Sequence, residues 1–144
     1  MTAKIDVAKV LIENEEGKFL VLQKSDSYEW KAGKWELPGG KVEEELEEER
    51  LDTAKREVKD ESGLTLKNLL DVVRVEVGEF DSDKPDVNCW ILYSESFSGE
   101  VRLSEEHQNY KWVSSEEFKN MDWHRDAGYA IPAMEFLDEY LEKK

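Results

Sequence analysis

Three acidic residues in the middle of the chain, Glu57, Asp60 and Glu61, stand at positions i, i+3 and i+4 of one charged segment. In an α-helix this spacing places side chains on one side, and the nearby Gly63 is a typical C-terminal stop. Like charges this close repel each other unless a cation lies among them. Every ligand they offer is a carboxylate oxygen, which hard divalent ions prefer. The spacing therefore predicts a helix with a divalent-metal face.

The composition limits the kinds of protein that the chain can be. Its 144 residues suffice for one domain with a modest core, and we expect residues 1–144 to form it. The 35 Asp and Glu against 20 Lys and Arg give a net charge of −15, which argues against nucleic-acid or anionic-membrane partners. The single Cys89 excludes an intramolecular disulfide. Without an apolar signal core or a membrane-length apolar run, we expect a soluble, cytoplasmic protein.

Apolar alternation and turn residues divide the rest of the chain into strands and helices. Residues 4–13 and 19–22 flank a turn and are predicted to form a β-hairpin. Residues 72–80 and 87–93 are predicted to be strands of one sheet. Further predicted elements are an extended piece at 35–37, a helix at 47–62, a strand at 110–113, a short helix from Ser114 and a last helix at 130–141. The pattern indicates an α/β fold, with a mixed sheet between helical layers.

The surroundings of the three acids favour a functional helix face over a solvated one. A helix turns by about 100° per residue, which puts Leu51, Ala54 and Val58 in an apolar stripe beside the acids. Such a helix packs on the core and holds its acids at the edge of a cleft. Gly39 and Gly40 can bring a backbone carbonyl to the same place, completing a site for Mg²⁺ or alternatively Mn²⁺. Charged i, i+4 pairs are also common on ordinary surface helices, so these residues alone leave that alternative open.

The arrangement resembles the signature of the Nudix hydrolase superfamily, G-x5-E-x7-R-E-U-x-E-E-x-G-U, where U is a bulky apolar residue. Residues 56–64 (REVKDESGL) match its second half at every fixed position but one. Glu48 stands eight residues before Arg56, and residues 37–40 (LPGG) are the usual lead-in. The preceding predicted strands and the later Trp112 also fall where the family places them, so the resemblance covers most of the chain.

Two departures from the signature affect the predicted metal face. Seven residues, rather than five, separate Gly40 from Glu48, so this loop is two residues longer. Asp60 stands where Glu is usual and is one methylene shorter, so it reaches a metal directly or through water. The longer loop leaves open which glycine carbonyl faces the metal and whether Glu48 pairs with Arg56.

The resemblance implies a Nudix-type α/β/α sandwich and Mg²⁺-dependent attack of water on the pyrophosphate of a nucleoside diphosphate derivative. It implies metal ligation by Glu57, Asp60, Glu61 and the Gly40 carbonyl. Arg56 is expected to orient the site by pairing with acids, with a surface salt bridge as the simpler alternative.

The proton acceptor is left open by the resemblance, because family members differ. Glu57 is one candidate, and Glu106, six residues before Trp112, is the other. Glu105 and His107 compete with Glu106, and an exposed turn residue is the simpler interpretation for each of these three. Candidate substrate-binding residues are Lys24 for phosphates, Phe80 for stacking on a base and Asp126 for hydrogen bonds to a base edge. Their simpler alternatives are a solvated lysine, a core aromatic residue and a helix N-cap.

The segment from residue 35 to residue 40 (WELPGG) resembles the MutT-like branch of the family. The leading hypothesis is therefore hydrolysis of a nucleoside triphosphate, in its normal or its oxidised form, to the monophosphate and pyrophosphate. Hydrolysis of ADP-ribose or another nucleoside diphosphate derivative is the alternative within enzymes. A nucleotide-binding module without turnover is the alternative outside them, disfavoured because Glu57 and Glu61 are both present. The expected partner is a small nucleotide, and the sequence does not predict an oligomeric state.

Overall fold

A computed structural model of the protein describes residues 5–26, 33–43, 49–77, 87–123 and 127–142. The described elements, in chain order, are β1 (Ile5–Ile12), β2 (Phe19–Lys24), β3 (Trp35–Glu36), β4 (Gly39–Lys41), α1 (Arg50–Ser62), β5 (Thr65–Leu66), β6 (Leu70–Val77), β7 (Val87–Ser94), β8 (Phe97–Ser98), β9 (His107–Val113), α2 (Ser115–Lys119) and α3 (Ala130–Glu142). None of the helices described is both long and apolar enough to cross a lipid bilayer.

Two main sheets form the centre of the fold. The larger has the strand order β4-β1-β7-β6, with β1 parallel to β7 and the other neighbours antiparallel. The smaller has the order β3-β2-β9 and is antiparallel, and β5 pairs with β8 separately. The predicted α/β class with a mixed sheet is confirmed, and so is the prediction that β6 and β7 belong to one sheet.

The predicted hairpin between β1 and β2 is wrong. The two strands lie in different sheets, although their ends meet at an isolated bridge between Glu13 and Phe19. The physical reason is burial on both faces of each strand, since residues 10–12 and 19–22 are all buried. A strand that is apolar on both faces needs cover on both, which a two-stranded hairpin does not provide.

Two apolar layers lie on opposite sides of β1. Ala8, Val10 and Ile12 pack in one cluster with Ala54 and Val58 of α1. Leu11 belongs to the other cluster, which contains Trp35, Leu37, Tyr129 and residues of α2 and α3. Because side chains alternate along a strand, Lys9 shares the side of Leu11 and points towards the second cluster. The first layer fixes α1, and the acids of α1 with it, against the sheet.

The helix that carries the acids ends where the sequence predicts. Gly63 caps α1 in the left-handed conformation (φ 80°), and its N–H donates to the carbonyl of Lys59. The described helix begins at Arg50, whereas the predicted start at residue 47 lies outside the described residues. The helix after Ser114 has a full capping box with Glu117. The strand predicted at 110–113 begins earlier, at His107, which makes His107 a strand residue.

Candidate active site

The acidic face of α1 borders an open cleft of about 530 Å³. The residues that line this cleft are Glu57, Asp60 and Glu61 of α1 and Ser104, Glu105 and Glu106 of the segment before β9. The fold therefore brings the predicted metal face together with the predicted loop acid Glu106. Repulsion among so many carboxylates in one cleft is relieved by a cation, so this donor set fits a divalent metal.

Glu61 is the most deeply placed of the cleft acids. It is 4% exposed, and the N–H of Gly39 donates to its Oε1 over 3.0 Å. Burial raises the pKa of Glu61 to about 8; Lys9 and the Gly39 N–H oppose this rise, while Glu36 and Glu57 add to it. A carboxylate in such surroundings binds a cation readily, because the cation offsets the loss of hydration.

The two glycines before α1 allow the backbone of β4 to approach both α1 and β1. A Cβ atom on Gly40 would lie 2.5 Å from the carboxyl carbon of Glu57. Gly39 has a φ of 143°, and a Cβ there would lie 2.0 Å from the carbonyl oxygen of Ala8. Only glycine fits in either position. The backbone of Gly40 thus lies directly against an acid of the predicted metal face.

Glu57 is held from its other side by Arg56. The Nη1 of Arg56 donates to Oε1 of Glu57 over 2.8 Å, and both side chains are partly exposed. Glu48, the other acid that the sequence suggests as a partner of Arg56, lies outside the described residues. Asp60 is exposed at the cleft. Contact with Arg56 and Gly40 restricts where the Glu57 carboxylate can point.

A second polar cluster lies next to the cleft, where β2, β3 and β9 meet. Lys24, at the end of β2, places Nζ 3.7 Å from Oε2 of Glu36 and 3.4 Å from Oε2 of Glu106. His107, the register partner of Lys24 on β9, places Nε2 3.4 Å from the same Glu36 oxygen. Lys24 is buried and is not a solvated lysine, and His107 is buried and is not an exposed turn residue. The Glu106 side chain is half exposed.

Glu36 and Lys9 take part in this cluster, and sequence reasoning missed both as site residues. Burial raises the pKa of Glu36, but Lys9, His107 and Lys24 outweigh it and hold that pKa below its usual range. Burial lowers the pKa of Lys9, yet Tyr129, Glu36 and Glu61 outweigh that effect and raise it. The sequence contained one signal for both residues. Each is a charged residue among apolar neighbours of an extended segment, at a position that faces the interior. The opposite charges of Glu36 and Lys9 therefore stabilise each other in their ionised forms.

The comparisons with known proteins identify the family. The family model described as the NUDIX domain matches residues 3–134 of the sequence. This chain is a member of the NUDIX domain family. Among curated relatives, the asymmetrical bis(5'-nucleosyl)-tetraphosphatase of Mus musculus is 34% identical over 109 residues, which cover 74% of this chain and 70% of that protein. Membership confirms the predicted Nudix hydrolase, an enzyme that acts on pyrophosphate linkages of nucleoside phosphates.

Solved structures of Nudix proteins share the whole fold. The MutT protein from Methanosarcina mazei Go1 has a TM-score of 0.79 and 32% identity, covering 99% of this chain and 98% of that one. The ORF135 protein of E. coli has a TM-score of 0.80 and 25% identity, with 99% and 94% covered. These similarities confirm the Nudix-type α/β architecture predicted from the motif.

Most of the site residues predicted for this Nudix hydrolase converge on one place. Glu57, Asp60, Glu61 and Glu106 line the cleft. Gly40 and Arg56 lie against Glu57, and Lys24 contacts Glu106. Phe80 and Asp126, predicted to bind the base, lie outside the described residues.

Proposed function

We propose that residues 1–144 act as a single Nudix domain that hydrolyses a nucleoside triphosphate to the monophosphate and pyrophosphate. The observation that carries this proposal is the meeting of the α1 acids with Glu106 in one open cleft. The 32% identity to the MutT protein from M. mazei, over almost the whole of both chains, supports the triphosphate class. In this reaction water forms a new P–O bond, the bridging P–O bond breaks, and a carboxylate receives the proton of the water.

Mg²⁺ is the proposed cofactor, with Mn²⁺ as an alternative ion. The carboxylates of Glu57, Asp60 and Glu61, with the carbonyl of Gly40, would hold it. When bound, such an ion neutralises the charge of the diphosphate and lowers the pKa of a water molecule.

The protein's own groups supply the remaining functions in the proposed reaction. Glu57 and Glu106, which both line the cleft, are the proposed alternatives for the carboxylate that accepts the proton of the water. Arg56 restricts the orientation of Glu57 through its 2.8 Å contact. Lys24 places a buried ammonium beside Glu106, where positive charge attracts the phosphates of a substrate.

A bis(5'-nucleosyl) tetraphosphate is the second candidate substrate. The 34% identity to the mouse asymmetrical tetraphosphatase favours it specifically. The chemistry at the cleft would be the same, because both substrates present a polyphosphate to attack by water. They differ in the group beyond the phosphates, which is a second nucleoside in the tetraphosphate.

A substrate panel tests the proposal. Purified protein with Mg²⁺ is incubated with the natural and oxidised nucleoside triphosphates, bis(5'-nucleosyl) tetraphosphates and ADP-ribose, and the products are separated chromatographically. Fastest turnover of a triphosphate, with release of pyrophosphate, is expected. Preference for a tetraphosphate supports the second candidate, and absence of turnover across the panel contradicts both.

A matched pair of variants tests the site in the same assay. Glu61→Gln removes a cleft carboxylate, whereas Glu139→Gln removes an exposed one from α3. Turnover that survives Glu61→Gln contradicts the proposed metal site, and turnover that falls equally in both variants points to a nonspecific effect of charge.

A further inference from the structure

The strand β6 forms an open edge of the larger sheet. The strand order is β4-β1-β7-β6, and within the described part of the chain β7 is the only strand that pairs with β6. Backbone N–H and C=O groups along the outer edge of a strand can form hydrogen bonds with a strand of another chain. The side chains of β6 determine which strand fits there.

The two faces of β6 carry different residues. Val73 and Val75 pack against the apolar cluster that includes residues of α3. Arg74 and Glu76 point to the opposite face, because side chains alternate along a strand. Nη2 of Arg74 lies 3.7 Å from Oε1 of Glu76, and the two side chains are 48% and 54% exposed. One face of this edge is therefore apolar and covered by α3, while the other is charged and open to solvent.

The charged face of β6 is complementary to itself. When two copies of β6 pair antiparallel about a two-fold axis at Val75, Arg74 of each copy lies directly opposite Glu76 of the other. This register contains two cross-strand pairs of opposite charge, one on each side of the axis. An axis at Arg74 or at Glu76 would instead place like charges opposite each other, which is unfavourable. The sequence of β6 thus favours a second copy of the chain in the register centred on Val75.

Exposed aromatic residues lie on the helix that covers β6. Phe136 and Tyr140 of α3 are 46% and 41% exposed and stand one helical turn apart. Relative to the buried Leu137, they are rotated by about 100° and 60° to one side, and Asp138 by about 100° to the other. Asp138 contacts Lys119 of α2 at 2.8 Å, so α2 lies on that flank of α3. The aromatic pair therefore lies on the flank away from α2, and exposed aromatic residues of this kind are typical of protein interfaces.

We propose that two copies of this chain associate through their β6 edges and through the flanks of α3 that carry Phe136 and Tyr140. The antiparallel contact centred on Val75 joins the two larger sheets into one. A two-fold axis perpendicular to the sheet keeps both α3 helices on the same face, where the aromatic residues shield each other from water. On the other face, the two Arg74–Glu76 pairs fix the register. None of these residues lines the cleft, so dimerisation does not depend on the proposed function.

Charge reversal tests the pairing and its register. In pairs of identical chains, Arg74→Glu places glutamates opposite each other, and Glu76→Arg places arginines opposite each other. We expect each variant to associate at least about tenfold more weakly than the wild type, because like charges meet across the interface. An equimolar mixture of the two variants should form a heterodimer, since both pairs of opposite charge are then restored. The double variant Arg74→Glu/Glu76→Arg should dimerise like the wild type.

Sedimentation velocity at concentrations up to about 500 µM measures the association, because small interfaces bind weakly. Native mass spectrometry of the mixture, with one variant labelled with ¹⁵N, identifies the heterodimer. A monomeric wild type at the highest concentration would overturn the proposal and leave the edge to water or to a strand of another protein. Undiminished dimers of both single variants would also overturn it. Single variants that are folded by circular dichroism but form no heterodimer would overturn the register centred on Val75.

The contact between the α3 helices has its own test. Phe136→Ser should weaken dimerisation at least about tenfold, because truncation of an aromatic residue buried at an interface removes much of the binding energy. Tyr110→Ser is the matched control, because Tyr110 is 40% exposed but lies on β9, and it should change the affinity less than about twofold. Equal losses in the two variants would overturn the α3 contact.

If the charge variants do not fold, amide hydrogen exchange of the wild type replaces them. Exchange in β6 should slow as the protein concentration rises, because pairing with a second copy protects the outer amides of the strand. Exchange in β6 that does not change with concentration would overturn the proposal.

Discussion

The acidic face of α1 and the polar cluster beside the cleft are brought together by different kinds of contact. On the α1 side, Glu57, Asp60 and Glu61 come from two consecutive helical turns, so local spacing alone brings them together. In the polar cluster next to the cleft, Lys24, Glu36 and His107 come from three strands, and sheet pairing brings them together. Helix periodicity makes the first group visible in a sequence, whereas the second exists only after the strands have paired. The two sides also differ in solvation, because the second group is largely buried while Asp60 is exposed.

The largest expected effect tests the α1 side. Replacing Glu61 with Gln keeps the shape of the side chain but removes a negative charge from the deepest part of the cleft. We expect kcat/KM with Mg²⁺ to fall by about 10²–10³-fold, because electrostatic stabilisation of the reacting phosphates depends on the bound metal. Steady-state kinetics on the preferred substrate measures this, with Glu139→Gln as the control. A loss below tenfold would show that the α1 acids are not the metal face.

A backbone substitution tests whether the position of Glu57 matters as much as its charge. In Gly40→Ala the new Cβ would lie 2.5 Å from the carboxyl carbon of Glu57 and force it aside. We expect about a 10²-fold loss of kcat, because small displacements of a reacting group are costly. Gly17→Ala is the control, since Gly17 lies in a turn beside Glu13 and its positive φ (75°) makes alanine strained there without contact with Glu57. Comparable loss of activity in both variants would indicate a general effect on folding.

A substitution of Lys24 tests the buried polar cluster where β2, β3 and β9 meet. Lys24→Met removes a cation from Glu36 and Glu106, and we expect it to lower the free energy of unfolding by about 1–3 kcal/mol, because a buried carboxylate loses a counter-charge. Lys119→Met is the matched control. Its ion pair with Asp138 is shorter, at 2.8 Å, but exposed to solvent, so a smaller loss than in Lys24→Met is expected. Urea denaturation measures both, and a larger loss in Lys119→Met would contradict the importance of burial.

The smallest expected effect is a pH dependence in metal-free protein. The pKa of Glu61 is raised from 4.5 to about 8 in the folded state, so the folded protein holds this proton more tightly than the unfolded chain. The tighter binding of this proton stabilises the folded protein. This contribution to the unfolding free energy is fully present below pH 4.5 and is lost as the pH rises through about 8. We expect the unfolding free energy of Glu61→Gln, relative to wild type in EDTA, to increase by about 2 kcal/mol between pH 5 and pH 6.5.

Thermal or urea unfolding of both proteins at the two pH values measures this difference. Addition of Mg²⁺ at high pH should raise the stability of the wild type more than that of the variant, because the metal replaces the proton. A difference between the two proteins that does not change with pH would show that Glu61 is already ionised when the protein folds without metal.

Sequence reasoning succeeded where the relevant contacts are local. The spacing of Glu57 and Glu61 and the stop at Gly63 follow from helix geometry, and the structure places α1 accordingly. It failed for the partners of β1 and β2, because strand pairing depends on burial on both faces rather than on the turn between them. Glu36 and His107 were not identified as a contact for the same reason. They are 71 positions apart in the sequence, and they come into contact because β2 pairs with β3 on one edge and with β9 on the other.

The strand order also has a consequence for protein synthesis. β1 pairs in parallel with β7, from Ile5 with Val87 to Ile12 with Ser94, and β2 pairs with β9. These long-range pairings form late, after most of the chain has left the ribosome. A nascent chain therefore displays the acids of α1 well before His107 and Glu106 have emerged opposite them. The cleft between α1 and the segment before β9 is consequently complete only in molecules whose β9 strand has been made and paired.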